Sequence, residues 1–220
     1  MNETNFSVRM RFMKTDRAKY ISHLDLMRCL QRAVCRAALP AAYSNGFHPR
    51  MQLSFATTLP LGFTSIAEIM QLDLSEPLPF PDVQQRLNTV LPTGLKILEA
   101  NAPRFPFPTL SFGDYQIVLS NADPAQLSEK LYRLLAEPTL VIEKKTKKGQ
   151  KQVDIRPGIE LLSCETQSAA LVLQMRFPTG NQNVNPLQFL KLIESEEEII
   201  QNFPKICRIQ LWKSANEKFF

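Results

Sequence analysis

The chain has 220 residues, room for one large domain or, more naturally, two of about 100 each. Apolar residues make up 44% and charged residues 21%, the balance of a globular protein and not of a disordered one. No apolar run reaches the roughly 18 residues of a membrane span, and the first residues lack the apolar core of a signal peptide, so a cytoplasmic protein with no membrane contact is expected. Cys29, Cys35, Cys164 and Cys207 fit neither a disulfide framework nor zinc or iron–sulfur spacing. They are expected to be reduced and mostly buried.

The net charge of +5 is uneven. Residues 1–50 hold nine Lys and Arg against Glu3, Asp16 and Asp25, so they carry +6 and the remainder of the chain sums to −1. A second basic cluster, Lys144, Lys145, Lys147, Lys148 and Lys151, follows Glu143. An acidic run from Glu194 to Glu198 offsets it. Basic blocks segregated in this way point to a polyanion partner, nucleic acid first, or to a solubilising surface.

In chain order, Val8 to Met13 alternates apolar and basic residues and predicts a half-buried strand. Ser22 is placed to cap a helix, with Asp25 at its third position. Leu26, Met27, Leu30, Ala33, Val34 and Ala37 recur at helical spacing, and the helix should end before Pro40. A turn-rich loop, Tyr43 to Arg50, is tightest at Asn45-Gly46. Strands are predicted at Met51–Ala56 and Ala67–Leu74, a helix at Pro81–Leu91 and a strand at Leu95–Glu99. The order β-α-β-β-α-β is that of the ferredoxin-like fold. Pro103, Pro106 and Pro108 mark a linker, with Phe105, Phe107 and Phe112 docking it.

The second half repeats the order loosely: strand Tyr115–Leu119, helix Asp123–Leu135, strands Thr139–Glu143, Gln152–Ile155, Ile159–Cys164 and Ala170–Phe177, a short helix Asn185–Ile193 and a strand Ile206–Trp212. The expected architecture is therefore α+β, two tandem ferredoxin-like (βαββαβ) units over 1–102 and 115–220 joined by a Pro/Phe-rich linker at 103–114. The second unit has an inserted basic β-hairpin with the lysine cluster at its tip.

Arg28, Arg32 and Arg36 are spaced by four and share one row of the first helix, turned from its apolar face. Such a row of planar donor forks suits phosphates, or is a solvated face paired with acids from elsewhere in the chain. The loop after it packs Tyr43, Phe47, His48 and Arg50 around Gly46; aromatic and Arg side chains stack on unpaired bases, or such aromatics plug the core. Arg17 and Lys19 extend the basic block ahead of the helix. The chain's two histidines, His23 and His48, both fall in these segments. Either is a candidate acid or base of a metal-independent ribonuclease, although no Ser-His-Asp order or metal-binding spacing supports one, and His23 is read first as a capping or packing residue. The five lysines suit backbone tracking more than base reading. Asp154 and Arg156, two apart on a strand, are expected to pair or to bind a ligand. Gly-rich phosphate loops, nucleophile elbows, HExxH and the cysteine triplet of radical-SAM clusters are all absent from the sequence, and no cofactor or metal is expected.

Lys19-Tyr-Ile-Ser-His-Leu-Asp-Leu-Met-Arg28 and Tyr43-Ser-Asn-Gly-Phe-His-Pro-Arg50, followed by Leu53-Ser-Phe-Ala56 and Leu59-Pro-Leu-Gly62, closely resemble the radical-SAM-linked (radical-SAM-associated) family of bacteria. Asp154-Ile-Arg-Pro157 is similar to a further feature of it. Members are fused behind a radical-SAM enzyme or encoded separately beside one, and this chain resembles the separate form. The resemblance thus implies a separate radical-SAM iron–sulfur enzyme as partner. At the level of element order, the chain also resembles the CRISPR repeat-processing endoribonucleases, although Phe177-Pro-Thr-Gly-Asn181 is a poor match to their glycine-rich segment. The leading expectation is a non-catalytic module that binds a structured RNA, tRNA or rRNA, and presents it to the partner enzyme. The alternatives are a metal-independent endoribonuclease and a protein–protein adaptor.

Overall fold

The computed structural model describes residues 6–120, 123–146, 149–180, 183–194, 199 and 202–220. They form an α+β protein, rich in mostly antiparallel sheet and with few helices. Two compact units are present: Met1–Leu110 with Arg208–Phe220, and Ser111–Cys207. The end of the chain therefore groups with the first unit, where the sequence reading kept it with the second. Its anchor is Arg208, which is buried and donates to Glu68 at 2.8 Å and to the Thr58 carbonyl at 2.9 Å.

In the first unit, β1 (Phe6–Lys14) lies between β4 (Leu95–Asn101) and β3 (Thr64–Leu74), antiparallel to both. The short β2 (Leu53–Phe55) pairs with β3. It is shorter than the expected Met51–Ala56 because Met51 instead bridges back to Tyr43. Val8, Met10 and Phe12 alternate into a core completed by α1 (His23–Arg36) and α2 (Phe80–Val90). The other face of β1 is not simply wet, as the alternation suggests. Arg9 is buried there, and Lys14 is buried at the strand's end, while Arg11 stays half-exposed beside Glu99.

Both ends of α1 are pinned locally. Ser22 Oγ accepts from the Asp25 amide at 3.1 Å and donates to the Asp25 carboxylate at 2.7 Å. This satisfies an orphan amide and places negative charge at the positive end of the helix. A 3₁₀ turn (Asp16–Tyr20) leads in, held by a Thr15 amide bond to the Gly94 carbonyl at 2.8 Å. Gly94 has φ +87°, and a Cβ there would stand 2.6 Å from the Thr15 carbonyl oxygen, so only glycine allows this approach. At the other end, the Ala38 amide donates to Cys35 O and the Leu39 amide to Val34 O, a Schellman closure. The left-handed position is Ala38, φ +49°, where helices favour glycine.

In the second unit, β9 (Ala170–Pro178) lies between β5 (Phe112–Ser120) and β8 (Glu160–Gln167), antiparallel to both. Asp114, Arg176 and Glu160 occupy directly paired positions across the three strands. Arg176 grips Asp114 through Nε at 2.7 Å and Nη2 at 3.1 Å, both side chains buried. Helix α3 (Pro124–Ala136) buries Leu127 and Leu131. Strands β6 (Val141–Thr146) and β7 (Gly149–Asp154) form a separate two-stranded hairpin. Helix α4 (Pro186–Leu190), capped by Asn185, is shorter than the expected Asn185–Ile193. Strand β10 (Lys205–Ser214) then returns the chain to the first unit, where β11 (Glu217–Lys218) pairs with it.

Asp154 and Arg156 do not pair through their side chains. The Asp154 carboxylate accepts the amides of Leu140 and Arg156, at 2.8 and 3.0 Å. The Arg156 guanidinium instead donates to the carbonyls of Ile159 and Leu135, both at 3.0 Å. The motif ties the hairpin base to the end of α3 through backbone groups, which spacing between side chains does not reveal. None of the four free cysteines is fully buried: Cys35 is exposed and the others half-buried, because Cys35 lies on the open side of α1. Among the described residues, no helix is long and apolar enough to cross a membrane.

Two measurements follow from these arrangements. Replacing Ala38 with glycine relieves a left-handed alanine, worth roughly 1–2 kcal/mol, against roughly 0.5–1 kcal/mol of added chain entropy. Urea denaturation of Ala38→Gly should therefore show a net gain of about 0.5–1 kcal/mol. Burial lowers the pKa of Lys14 below its ordinary 10.5, with the charge of Glu68 opposing the shift. Between the lowered and ordinary values, the unfolded chain binds more protons than the folded one, so stability from this group rises with pH. The stability of the wild type minus that of Lys14→Met should climb as pH approaches 10.5 from below, and a flat difference would contradict the burial argument.

Candidate functional site

Helix α1 buries Leu26, Leu30, Ala33 and Val34, which turns Arg28, Arg32 and Arg36 outward, all exposed. Their roles differ. Arg28 leans on Asp25 at 3.2 Å in an exposed pair, the weak kind. Arg36 donates to the Val90 carbonyl at 3.0 Å, leaving its charge uncompensated. Arg32 has no hydrogen bond or ion pair among the described residues.

Cavities open on both sides of this row. One groove of about 780 Å³ runs between α1 and the segment after it, with Arg32, Arg36, Tyr43 and Arg50 on its walls. Met27, Met51 and Leu53 give it an apolar floor, and Gln31 and Cys35 complete the helix side. The second hollow, about 480 Å³, holds Arg28, Arg32 and Arg36 against Val90 and Pro92. Arg32 and Arg36 thus border both.

The Tyr43–Arg50 loop is closed at its base. Tyr43 bridges to Met51, the Ser44 amide donates to Arg50 O at 2.8 Å, and the Arg50 amide donates to Ser44 Oγ at 3.0 Å. Gly46 turns the tip with φ +124° and open space around its Cβ position, so backbone angle alone calls for glycine. Phe47 is fully exposed and Tyr43 is 48% exposed, so these rings do not plug the core. The Arg50 guanidinium has no partner among the described residues.

The structure therefore gathers Arg32, Arg36, Tyr43 and Arg50 into one groove, with Arg28 in the adjoining hollow. Arg17, Lys19, Phe47 and His48 line neither. Lys19 sits over the Tyr20 ring at 4.9 Å, and Arg17 is exposed on the same 3₁₀ turn. His23 is half-buried at the start of α1, edge-on to Phe55 at 5.1 Å, and His48 is exposed. In the second unit, Lys144 and Lys151 occupy paired positions of the hairpin, next to Lys145 opposite Gln150, and Lys151 is exposed. Lys147 and Lys148 lie outside the described residues. Like charges at paired positions weaken a hairpin, so this placement is not explained by its own stability.

Sequence reasoning missed Met27, Gln31 and Cys35, which line the groove. Their signal was a second row at spacing four, one position before the arginines. Cys35 and Tyr43 line the same groove. Burial first, then the nearby thiol and its hydrogen bond, holds the Tyr43 phenol above its ordinary pKa. Among the described residues, no three His, Cys, Asp or Glu side chains gather as a metal site.

A family described as uncharacterized protein conserved in bacteria (DUF2344) matches residues 7–186. The chain belongs to this family. The match spans the α1 row, the groove, the hairpin and the Asp154–Pro157 knot. No curated protein matches the chain.

The raised Tyr43 pKa is open to direct titration. The ultraviolet difference between wild type and Tyr43→Phe should show this phenol ionising above 10, and Cys35→Ala should bring it partway back. Ionisation at the ordinary value in both proteins would rule this shift out.

Proposed function

We propose that this protein is a non-catalytic RNA-binding module that presents a structured RNA to a separate radical-SAM enzyme. The observation that carries the reading is the groove beside α1, where Arg32, Arg36 and Arg50 face an apolar floor next to Tyr43. Guanidinium forks suit phosphate oxygens, and an aromatic side chain beside an apolar floor suits an unpaired base. The +6 carried by residues 1–50 adds the long-range attraction that a polyanion feels. The hairpin that carries Lys144, Lys145 and the exposed Lys151 in sequence is a second basic element, suited to tracking a phosphate backbone. The enzyme partner rests on the motif resemblance of Lys19–Arg28 and Tyr43–Arg50 to the radical-SAM-linked family.

The same proposal includes the tandem ferredoxin-like architecture. Its support in the first unit is the chain order β1-α1-β2-β3-α2-β4 with β1 between β4 and β3 and β2 beyond β3. In the second unit, β5-α3-β8-β9-α4 follows the same course around the inserted β6–β7 hairpin.

The test is anisotropy titration of total tRNA, at several salt concentrations, with wild type and the triple variant Arg28→Ala, Arg32→Ala, Arg36→Ala. Each lost phosphate contact removes about 0.7–0.9 from the slope of log K against log salt. The variant should bind at least tenfold more weakly, with a slope shallower by about 2–3. Unchanged affinity and slope would mean that the arginine row is not the RNA surface. Gel filtration with the partner enzyme before and after ribonuclease treatment tests the other half. A complex that needs RNA is expected, and one that persists without it makes the protein an adaptor.

A further inference from the structure

We propose that the first unit holds a second site, at Arg9 and Arg104, for a small organic anion: a carboxylate or phosphate joined to a flat apolar group. It does not depend on the RNA reading and involves none of the groove residues.

Arg9 sits on β1 at 3% exposure. Its Nη1 donates to the Phe105 carbonyl at 2.7 Å and its Nη2 to the Gln71 side-chain oxygen at 2.6 Å. The guanidinium lies 4.2 Å from the Phe107 ring centre and 5.6 Å from that of Phe219. Its Nε is buried without a partner. All these neighbours are neutral, so among the described residues no carboxylate meets this charge. Buried guanidinium groups are ordinarily paired with an acid, because desolvating an unpaired charge costs several kcal/mol. Burial accordingly lowers the pKa of Arg9.

The uncompensated charge borders a hole. A cavity of about 460 Å³ is lined by Arg9, Asn101, Arg104, Phe219 and Phe220, within the range of small-molecule sites. Arg104 is 69% exposed; it stands 3.8 Å from Glu217 and 4.9 Å from the Phe105 ring centre, solvent-side contacts that a ligand's charge can displace. Two guanidinium groups on one cavity wall match an anionic head. The rings of Phe219 and Phe220 match a flat apolar tail. A purely structural Arg9 would explain the carbonyl and amide contacts. It would not explain a surplus charge beside an open cavity with a second arginine on its wall.

The experiment uses the full chain and three probes at matched ionic strength: phenyl phosphate, phenylacetate and benzyl alcohol. Calorimetric titration and Tm are the readouts. At least one anion should bind and raise Tm in a saturable way, and the neutral alcohol should do neither; which anion binds separates phosphate from carboxylate ligands. Arg104→Ala, a change at an exposed position, should weaken binding about tenfold. Arg9→Met, which keeps the apolar stem and removes the buried charge, should abolish it. Should Arg9→Met fail to fold, Arg104→Ala and the alcohol decide the matter. Absence of binding by both anions, equal binding of the alcohol, or wild-type affinity in Arg104→Ala overturns the proposal.

Discussion

Buried positive charge is the constraint around which the first unit is organised. Arg9, Lys14 and Arg208 are all buried there, while Glu68 is its one buried acid among the described residues. Each cation is accommodated differently. Arg208 takes the carboxylate of Glu68 and a carbonyl, an interaction that breaking on one side alone would make costly, about 3–5 kcal/mol. Lys14 takes the Ile21 carbonyl at 3.1 Å, immediately before the Ser22 cap of α1. Arg9 takes a carbonyl, an amide oxygen and the face of Phe107. Each solution fixes a piece of architecture: the return of the chain at Arg208, the entry into α1, and the docking of the Phe105–Phe107 segment.

The exposed cations on α1 follow the opposite logic. Water screens Arg28, Arg32 and Arg36, so their mutual repulsion on the helix costs only a few tenths of a kcal/mol. That cost is offset by the capped first turn and by the buried apolar row. A sequence can therefore place a guanidinium row on this face with little penalty to folding. What makes the row more than a solvated face is the second wall, the Tyr43–Arg50 loop, which turns a convex helix surface into a groove with an apolar floor.

Much of this was legible in the sequence wherever the determinant was local. The Ser22 cap, the apolar face of α1, the outward arginines and the Asn45-Gly46 turn are all set by residues within a few positions of one another. Non-local determinants stayed hidden. Alternation in β1 implies one wet face, and nothing near Arg9 in sequence announces that Phe105, Phe107 and Phe219 will cover it. Arg208 belongs with the first unit because of Glu68, 140 residues away. Asp154 and Arg156 bond to backbone groups whose positions depend on how α3 ends. Cysteine composition points to mostly buried thiols, whereas the place of Cys35, one step before Arg36 and outside the apolar row, carries the contrary signal.

The two walls of the groove are built differently, and this bears on how such a groove would recognise a ligand. The α1 wall is closed at both ends by side-chain and backbone caps, and it packs on the core through four buried residues. Among the described residues, the loop wall is tied at its base, through Tyr43–Met51 and Ser44–Arg50, and its tip from Asn45 to Pro49 is exposed. On the RNA reading, fixed charges on α1 would set the position of the phosphates, because spacing of the guanidinium groups is dictated by the helix pitch. The loop, with Tyr43 and Arg50 at its base and Phe47 beyond, would adapt to the base presented. Affinity and its salt dependence would then reside in α1, and discrimination between RNAs in the loop. Such a division follows from how each wall is held, before any particular RNA is considered.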